Sequence, residues 1–436
     1  MRRLVTAFLV AALGFPAALP ALGQAAGPSA SAQAPSPAQA GDPVIHWNRV
    51  LLGLQASQGV QPPTVHPTYE LAVMHAAIYD AVVSIDRSAK PYLIHFAGPR
   101  GASLPAAADT AARDTLVELY PSQQAGIDRD YAAQLAQLPA GRRKTQGIRV
   151  GGAVAHKILA RRADDGSNAP PVPFTPGTNP GNYQLTPPKF QQPVFTHWPM
   201  VRPFTLERAN QFRLPRPAAL TSSAYAAAIN EVKTLGVGQG STRTPDQTQI
   251  GQFWNPPIWG FWNQIAQTAA LAHHSTLSQN ARTFALLNLT FADSAIAFYD
   301  SKYAYDLWRP VTAVRMADTD GNPATAADSN WTPLVATAPD PSYPGAHSTI
   351  STAGAAVLSS IYGPRLDFAV TSPALPGVQR SFDSFADAAQ EAGLSRIYAG
   401  VHTRLDHAAG QTLGREVARF VIDRFPGDRR AADRAR

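Results

Sequence analysis

Residues 279–308 read QNARTFALLNLTFADSAIAFYDSKYAYDLW, a run of thirty residues without glycine or proline. Apolar residues recur in it at the three- and four-residue spacing of a helix, so the stretch predicts one long helix. Alanine is abundant along the whole chain and β-branched runs are scarce, which also favours helix. The sequence therefore predicts an all-α protein of ten or more helices packed as bundles. A first helix is expected near Val44, and the others near residues 70–85, 104–119, 122–137, 140–162, 222–235, 245–254, 260–273, 346–362 and 402–425.

The composition is that of a globular protein. Hydrophobic residues make up 45% of the 436 residues and charged residues 15%, a balance that excludes a disordered chain. The chain contains no cysteine, which excludes disulfides, thiolate nucleophiles and cysteine-ligated metals. The net charge is +7, but no block of Lys and Arg is interleaved with aromatic residues, so nucleic acid is not an expected partner.

The N-terminus is typical of an exported protein. Met1-Arg2-Arg3 precedes an apolar run at residues 4–13, and small residues follow. This pattern predicts a signal peptide and a secreted or periplasmic protein that does not insert into a membrane once the signal is removed. The predicted organisation is a signal peptide at 1–25, a flexible linker at 26–42, an N-terminal helical bundle at 43–163, a proline-rich irregular excursion at 164–217, a catalytic helical bundle at 218–426 and a basic tail at 427–436.

Lys302 and Arg309 form the first of three segments that carry chemistry. They lie seven residues apart, close to two helical turns, so both would point to the same side of one helix. Two cations on one face repel each other unless an anion lies between them. The alternative is that Asp306 forms ion pairs with both cations, at spacings of four and three residues.

The second segment, at residues 341–349, is rich in proline and small residues and leads directly into a predicted helix. The backbone N–H groups of Gly345 and Ala346 would lie at the helix start, where they form an anion site without side-chain charge. His347 would lie in the first turn, where it could act as a general acid or base. The alternative is an ordinary proline-rich turn that happens to contain a histidine.

The third segment pairs His402 with Asp406, four residues later on the same predicted helix face. A carboxylate there can accept the imidazole N–H, which leaves the other ring nitrogen as a nucleophile or ligand. Arg396 adds a bidentate donor suited to tetrahedral oxyanions, whereas His407 points elsewhere and is expected to be structural. The alternative is a surface pair beside an unrelated arginine. Together the three segments predict a clamp for a tetrahedral oxyanion.

The order and spacing of these residues resemble a known signature. It consists of Lys-x6-Arg-Pro, Pro-x-x-His and Ser-Arg-x5-His-x3-Asp, and belongs to the superfamily that joins vanadium-dependent haloperoxidases and type 2 phosphatidic acid phosphatases. The match covers residues 302–406, and it departs from the family at Gly345, where a serine is usual. Upstream, Trp47-Asn48 and residues 74–81 and 252–254 are similar to bacterial haloperoxidase-like proteins. The signature positions are Lys302, Arg309, Pro310, Pro344, His347, Ser395, Arg396, His402 and Asp406.

The resemblance implies a fold and a role for each site residue. The fold would be two packed four-helix bundles in one continuous helical unit. His402 would bind vanadium directly in a haloperoxidase and become phosphorylated in a phosphatase. His347 would be the acid–base group and Asp406 would orient His402. The oxyanion would be held by Lys302, Arg309, Arg396 and the backbone of Gly345 and Ala346.

The leading interpretation is a vanadate-dependent haloperoxidase that oxidises halide with hydrogen peroxide to hypohalous acid. Its cofactor would be vanadate, and its partners hydrogen peroxide, a halide and a small organic substrate. The alternative is a secreted acid phosphatase with a phospho-His402 intermediate and no cofactor, and the third is a non-catalytic oxyanion-binding protein. The sequence leaves open the halide, for which Asp340 lies at the position that affects preference in the family. It also leaves open the organic substrate and the oligomeric state, with a homodimer as one option.

Overall fold

A computed structural model of the protein describes residues 41–426. Within that range it contains thirteen α-helices and one two-stranded sheet. The predicted signal peptide, nearly all of the predicted linker and the basic tail lie outside the described residues. No helix between residues 41 and 426 combines the length and the apolar character that crossing a membrane requires.

The N-terminal helices pack into a first bundle. Helix α2 contacts α3 and α5, and α3 also contacts α1, α4 and α5. Proline occupies the first turn of α1, α2 and α3, where its missing N–H costs nothing. The bounds are α1 at Pro43–Ala56, α2 at Pro67–Asp86, α3 at Leu104–Leu119, α4 at Gln124–Ala136 and α5 at Arg142–Arg162.

The remaining helices build a second bundle from α9, α11, α12 and α13. Helix α11 contacts the other three members, and α9 also contacts α13. The helices α6, α7, α8 and α10 connect and cover this bundle. The bounds are α6 at Ser223–Leu235, α7 at Pro245–Phe253, α8 at Ile258–Ala272, α9 at Leu277–Tyr305, α10 at Pro310–Arg315, α11 at Ala346–Tyr362, α12 at Phe385–Tyr398 and α13 at Arg404–Arg424.

Helix α9, the long helix of the opening stretch, joins the two bundles. It packs against α2 of the first bundle and against α11 and α13 of the second. Every residue from Thr283 to Lys302 is buried, as expected of a helix surrounded by others on all sides. A capping box of Thr276 and Gln279 starts the helix, satisfying two of its first N–H groups. The expectation of an all-α fold with two packed bundles is confirmed.

The region between α11 and α13 differs from the sequence prediction, which placed no element there. It contains α12 and an antiparallel hairpin of β1 at Arg365–Ser372 and β2 at Leu375–Ser384. More buried and more exposed residues alternate along β1, and the apolar residues Leu366, Phe368 and Val370 occupy every second position, so the period-2 signal of a strand was present and the prediction missed it. The hairpin contacts α8, α11 and α12.

Residues 164–217 contain a single short element, the 3-10 helix at Trp198–Met200. The buried Asp293 of α9 holds this segment against the core. Its carboxylate accepts the backbone N–H groups of Phe204, Thr205 and Leu206 at 2.7, 2.7 and 2.9 Å. Three such hydrogen bonds compensate for the burial of the carboxylate. The domain boundaries themselves stay a prediction.

Candidate active site

The predicted site residues come together at one end of the second bundle. Lys302 lies in the last turn of α9, and Arg309 immediately precedes α10. His347 is in the first turn of α11, and Arg396 is near the end of α12. His402 and Asp406 flank the start of α13. Five separate helix ends therefore supply one cluster.

The predicted geometry of Lys302 and Arg309 is wrong, although both reach the site. Helix α9 ends at Tyr305 because Asp306 adopts a left-handed conformation with φ of 50°, so the two cations do not share a helix face. The alternative that Asp306 pairs with both is also wrong, since its carboxylate accepts from Asn182 at 3.0 Å. The short connection before Pro310 instead turns the Arg309 guanidinium back toward the end of α9.

A different carboxylate, Asp340, contacts both cations. Its Oδ1 pairs with Arg309 Nη2, and its Oδ2 lies 3.5 Å from Lys302 Nζ. Arg309 Nε also donates to the Asp340 carbonyl at 2.7 Å. Burial alone would raise the pKa of the Asp340 carboxyl, but the charges of Lys302 and Arg309 hold it below its usual value. Asp340 is therefore a buried, ionised partner of both cations.

Lys302 is completely buried. Its Nζ donates to the carbonyl of Pro341 and, at 3.3 Å, to that of Ser342. Burial lowers the pKa of Lys302 to about 8. The ammonium thus remains charged at neutral pH, with hydrogen bonds to carbonyl oxygens on the loop that leads into α11.

His402 is held as a neutral imidazole with its proton on a defined nitrogen. Arg309 Nη1 lies 3.1 Å from His402 Nε2, and because a guanidinium only donates, Nε2 must accept. The proton is therefore on Nδ1, which faces Asp406 Oδ2 and Ser342 Oγ, each at 3.4 Å. Burial, followed by the charge of Arg309, lowers the pKa of His402 to about 3. Nε2 consequently presents a lone pair at all but strongly acid pH.

The predicted placement of His402 on a helix face is wrong, since α13 begins at Arg404 and Thr403 is its N-cap. The pairing with Asp406 nevertheless forms, because Asp406 turns back as the acid of the capping box. Its Oδ2 accepts the Thr403 N–H at 2.7 Å and the Ser342 hydroxyl at 2.8 Å. These donors fix the carboxylate that orients the imidazole.

The start of α11 contributes fewer donors than predicted. The Gly345 N–H donates to the Asp406 carbonyl at 2.9 Å, so the expectation that it binds an oxyanion is wrong in this arrangement. Gly345 caps the helix without a side-chain hydrogen bond, so the N–H groups of Ala346 and His347 have no intrahelical acceptor. Ala346 has ordinary helical geometry as the first residue of α11.

His347 is partly buried beside this helix end. Its Nε2 lies 2.9 Å from the Trp254 carbonyl, which can only accept, so the proton is on Nε2. Burial and the nearby charge of Arg396 lower the pKa of His347 well below its usual value. The imidazole is therefore neutral, and Nδ1 is the nitrogen able to take up a proton.

Arg396 is a buried cation without a carboxylate partner among the described residues. It is 7% exposed, and its Nη1 donates to Asn255 Oδ1 at 3.3 Å. Its Nε is buried without a hydrogen-bond partner in the described part of the chain. Burial, followed by the charge of Arg309, lowers the pKa of Arg396 to about 9. A guanidinium in this state lacks the anion that would compensate it.

The donor set therefore fits a tetrahedral oxyanion. Three buried cations face two buried carboxylates, an unprotonated imidazole nitrogen is available, and one guanidinium has unused donors. The residues that would hold the oxyanion are His402, Arg396, Arg309, Lys302 and the N-terminus of α11.

Comparison with known proteins agrees with this chemistry. Residues 282–427 match the family described as the second helical-bundle domain of VCPO, a span that contains every site residue. The vanadium chloroperoxidase of Curvularia inaequalis is 27% identical, over 46% of this chain and 44% of its own length. The family match and this relative support a place for the chain in the superfamily of the vanadium haloperoxidases.

Solved structures show the same fold over nearly the whole described chain. A structure titled as the first bacterial vanadium-dependent iodoperoxidase covers 89% of this chain and 96% of its own, with a TM-score of 0.75 and 24% identity. The apo-type bacterial vanadium-dependent chloroperoxidase covers 86% and 98%, with a TM-score of 0.69 and 16% identity. At these identities the likeness concerns the vanadium haloperoxidase fold alone. The match to the curated relative spans less than half of that protein.

Gly345, where the family signature usually has serine, lies in a tight place. A Cβ at Gly345 would lie 3.2 Å from the Asp406 carbonyl oxygen and 3.4 Å from Ser348 Oγ. The α11 and α13 backbones approach closely at this point, so a side chain would require the Asp406 carbonyl to move by a few tenths of an ångström.

Asp340 and Ser342 are site residues that the sequence analysis did not assign. They flank Pro341, on the loop that leads into the predicted anion site. The position of Asp340 directly before the predicted anion-binding loop could have identified it as a site residue, whereas nothing in the spacing indicated Ser342. His407 contacts Ser348 Oγ at 2.9 Å on the other side of α13, a position that fits its structural interpretation.

Proposed function

We propose that the protein is a vanadate-dependent haloperoxidase that oxidises halide with hydrogen peroxide to hypohalous acid. The observation that carries the proposal is Arg396, a buried guanidinium whose Nε has no hydrogen-bond partner in the described part of the chain. It lies in the cluster of His402, whose Nε2 carries no proton and accepts from Arg309. The similarity to the vanadium haloperoxidases, including the solved structures of an iodoperoxidase and a chloroperoxidase, supports the choice of chemistry.

In this proposal His402 Nε2 is the ligand of the vanadate, and Asp406 keeps the proton on Nδ1. Vanadate, when bound, supplies a centre that activates peroxide for attack by halide. Arg309 donates to His402 Nε2 in the structure, so it would turn from the imidazole toward the oxyanion. Lys302 and Arg396 would donate to the remaining oxygens, so the positive charges of the site and the negative charge of the oxyanion would compensate each other.

His347 would move the proton. Its Nε2–H is donated to the Trp254 carbonyl, which fixes the ring and leaves Nδ1 free of a proton. Because burial lowers the pKa of His347 well below its usual value, the ring is a base that is neutral before each cycle. It would accept a proton from hydrogen peroxide and return one to the departing oxygen.

The proposal includes a location. The N-terminal pattern supports secretion or a periplasmic site, where a peroxide-using enzyme would meet halide and small organic substrates. The organic substrate and a homodimeric state stay predictions.

The test is peroxide-dependent bromination at mildly acidic pH by metal-stripped protein, with and without orthovanadate. Activity should appear only with vanadate and be lost in His402→Ala. The matched control is His156→Ala, an exposed histidine of α5, which should keep full activity. If neither bromide nor iodide is oxidised at any vanadate concentration, the haloperoxidase is excluded. Vanadate-independent hydrolysis of a phosphate monoester that needs His402 would then establish the acid phosphatase.

The variant His347→Ala distinguishes a haloperoxidase from the third interpretation, a protein that only binds oxyanions. A haloperoxidase should retain vanadate binding in this variant and lose turnover, since His347 moves protons. A pure binding protein would show no turnover to lose.

A further inference from the structure

We infer that Asp340 makes the oxyanion clamp selective for singly charged over doubly charged tetrahedral oxyanions. The inference rests on the proposed function, because it concerns the same clamp. It assigns to Asp340 a role in setting the charge of the site, distinct from the residues that hold the oxyanion itself.

Asp340 already forms ion pairs with two of the three cations of the site. One carboxylate oxygen pairs with Arg309 Nη2 and the other lies 3.5 Å from Lys302 Nζ. Asp340 is 5% exposed, so water does not screen these charges effectively. An oxyanion that enters the clamp therefore contacts Lys302 and Arg309 while both are still paired with the Asp340 carboxylate.

The charges of the cluster nearly cancel. Lys302, Arg309 and Arg396 are cationic, whereas Asp340 and Asp406 are anionic. Both histidines are neutral: His402 Nε2 accepts from Arg309 and so carries no proton, and the Arg396 cation beside buried His347 opposes a second proton on that ring. Three positive charges against two negative ones leave a single net positive charge in a buried site.

One net positive charge matches one negative charge on the ligand. The cost of removing an ion from water grows with the square of its charge, whereas its attraction to a fixed site grows only linearly. A monoanion is therefore compensated in the clamp, and a dianion brings an extra negative charge against Asp340. Vanadate keeps its second proton to a higher pH than phosphate does, so the same charge balance favours vanadate near neutral pH.

The test compares perrhenate and tungstate, which are tetrahedral, isoelectronic and of similar size but carry one and two negative charges. Affinities are measured by calorimetry at pH 7, where Lys302 with its pKa of about 8 is charged, and with dilute anion, which keeps tungstate monomeric. The proteins compared are wild type, Asp340→Asn and the matched control Asp306→Asn. Asp306 lies in the same part of the chain and contacts Asn182 rather than the cations, and asparagine tolerates its left-handed backbone.

Wild-type protein should bind perrhenate more tightly than tungstate. Asp340→Asn removes a negative charge and so raises the net charge of the site by one. Because the attraction is proportional to the charge of the ligand, the logarithm of the affinity should rise twice as much for tungstate as for perrhenate. A gain of about tenfold for perrhenate would accompany about a hundredfold gain for tungstate. Asp306→Asn should leave the ratio of the two affinities within about twofold of wild type.

Two results would overturn the inference without touching the proposed function. They are a wild-type preference for tungstate, which needs no variant to observe, and equal or absent gains for both anions in Asp340→Asn. If neither anion binds to wild type or to either variant, the oxyanion site itself is wrong and the proposed function fails with it.

Discussion

Replacing Arg396 with methionine should make the ligand-free protein more stable and remove its response to oxyanions. The guanidinium is buried, has no carboxylate partner in the described chain and leaves Nε without a hydrogen bond. Methionine keeps most of the aliphatic length of arginine and carries no charge. Removing the cation therefore relieves a cost that only a bound anion otherwise offsets.

The pKa of Arg396 gives the size of the effect. Burial, followed by the charge of Arg309, lowers it to about 9. One pKa unit corresponds to about 1.4 kcal/mol, so burying the charge costs on the order of 5 kcal/mol. Loss of the Asn255 hydrogen bond offsets about 1–2 kcal/mol of this. A net gain of about 3 kcal/mol would raise the melting temperature by about 3 °C in a chain of this length.

The assay is thermal melting with and without orthovanadate. Wild-type protein at a hundred times its dissociation constant should gain about 2.7 kcal/mol, again about 3 °C, whereas Arg396→Met should gain nothing. The control is Arg404→Met, which removes an exposed pair with Glu231 and should keep the vanadate response. An Arg396→Met variant that melts below wild type and still responds to vanadate would refute the reasoning.

Two further predictions follow from the same structure. The affinity for perrhenate, whose charge does not change with pH, should fall as pH rises through about 8, because burial lowers the pKa of Lys302 to about 8. Calorimetry on Lys302→Gln should show constant affinity through pH 8 and a fall only near pH 9, where Arg396 loses its charge. A variant with the wild-type pH profile would contradict the assignment. Gly410→Ala should lower the melting temperature by about 1–3 °C, since its Cβ would lie 2.5 Å from the Gly345 carbonyl oxygen. Gly260→Ala, in open space on α8, is the control and should melt at or slightly above wild type.

The sequence predicted the helices well where periodicity was long and uninterrupted. The helices at 104–119 and 346–362 begin and end at the predicted residues, because proline or glycine marks their ends. The end of α9 was misplaced by three residues, since Asp306 terminates it in a left-handed conformation that aspartate adopts without a sequence signal as clear as glycine.

The identities of the site residues were predictable from spacing, but their contacts were not. Lys302, Arg309, His402 and Asp406 do meet, yet only tertiary packing shows that Arg309 reaches back to His402. The sequence did not show which groups Asp340 contacts, because its two ion pairs depend on the course of the loop before α11. Neither periodicity nor charge pattern describes such a loop.

The most direct test is the position of vanadium in a crystal of the protein soaked with orthovanadate. An anomalous vanadium peak is expected within bonding distance of His402 Nε2, flanked by the guanidinium groups of Arg309 and Arg396, and it should be lost in His402→Ala. Vanadium bound only elsewhere, or at the same place in the absence of His402, would contradict the claim that this cluster holds an oxyanion through its histidine.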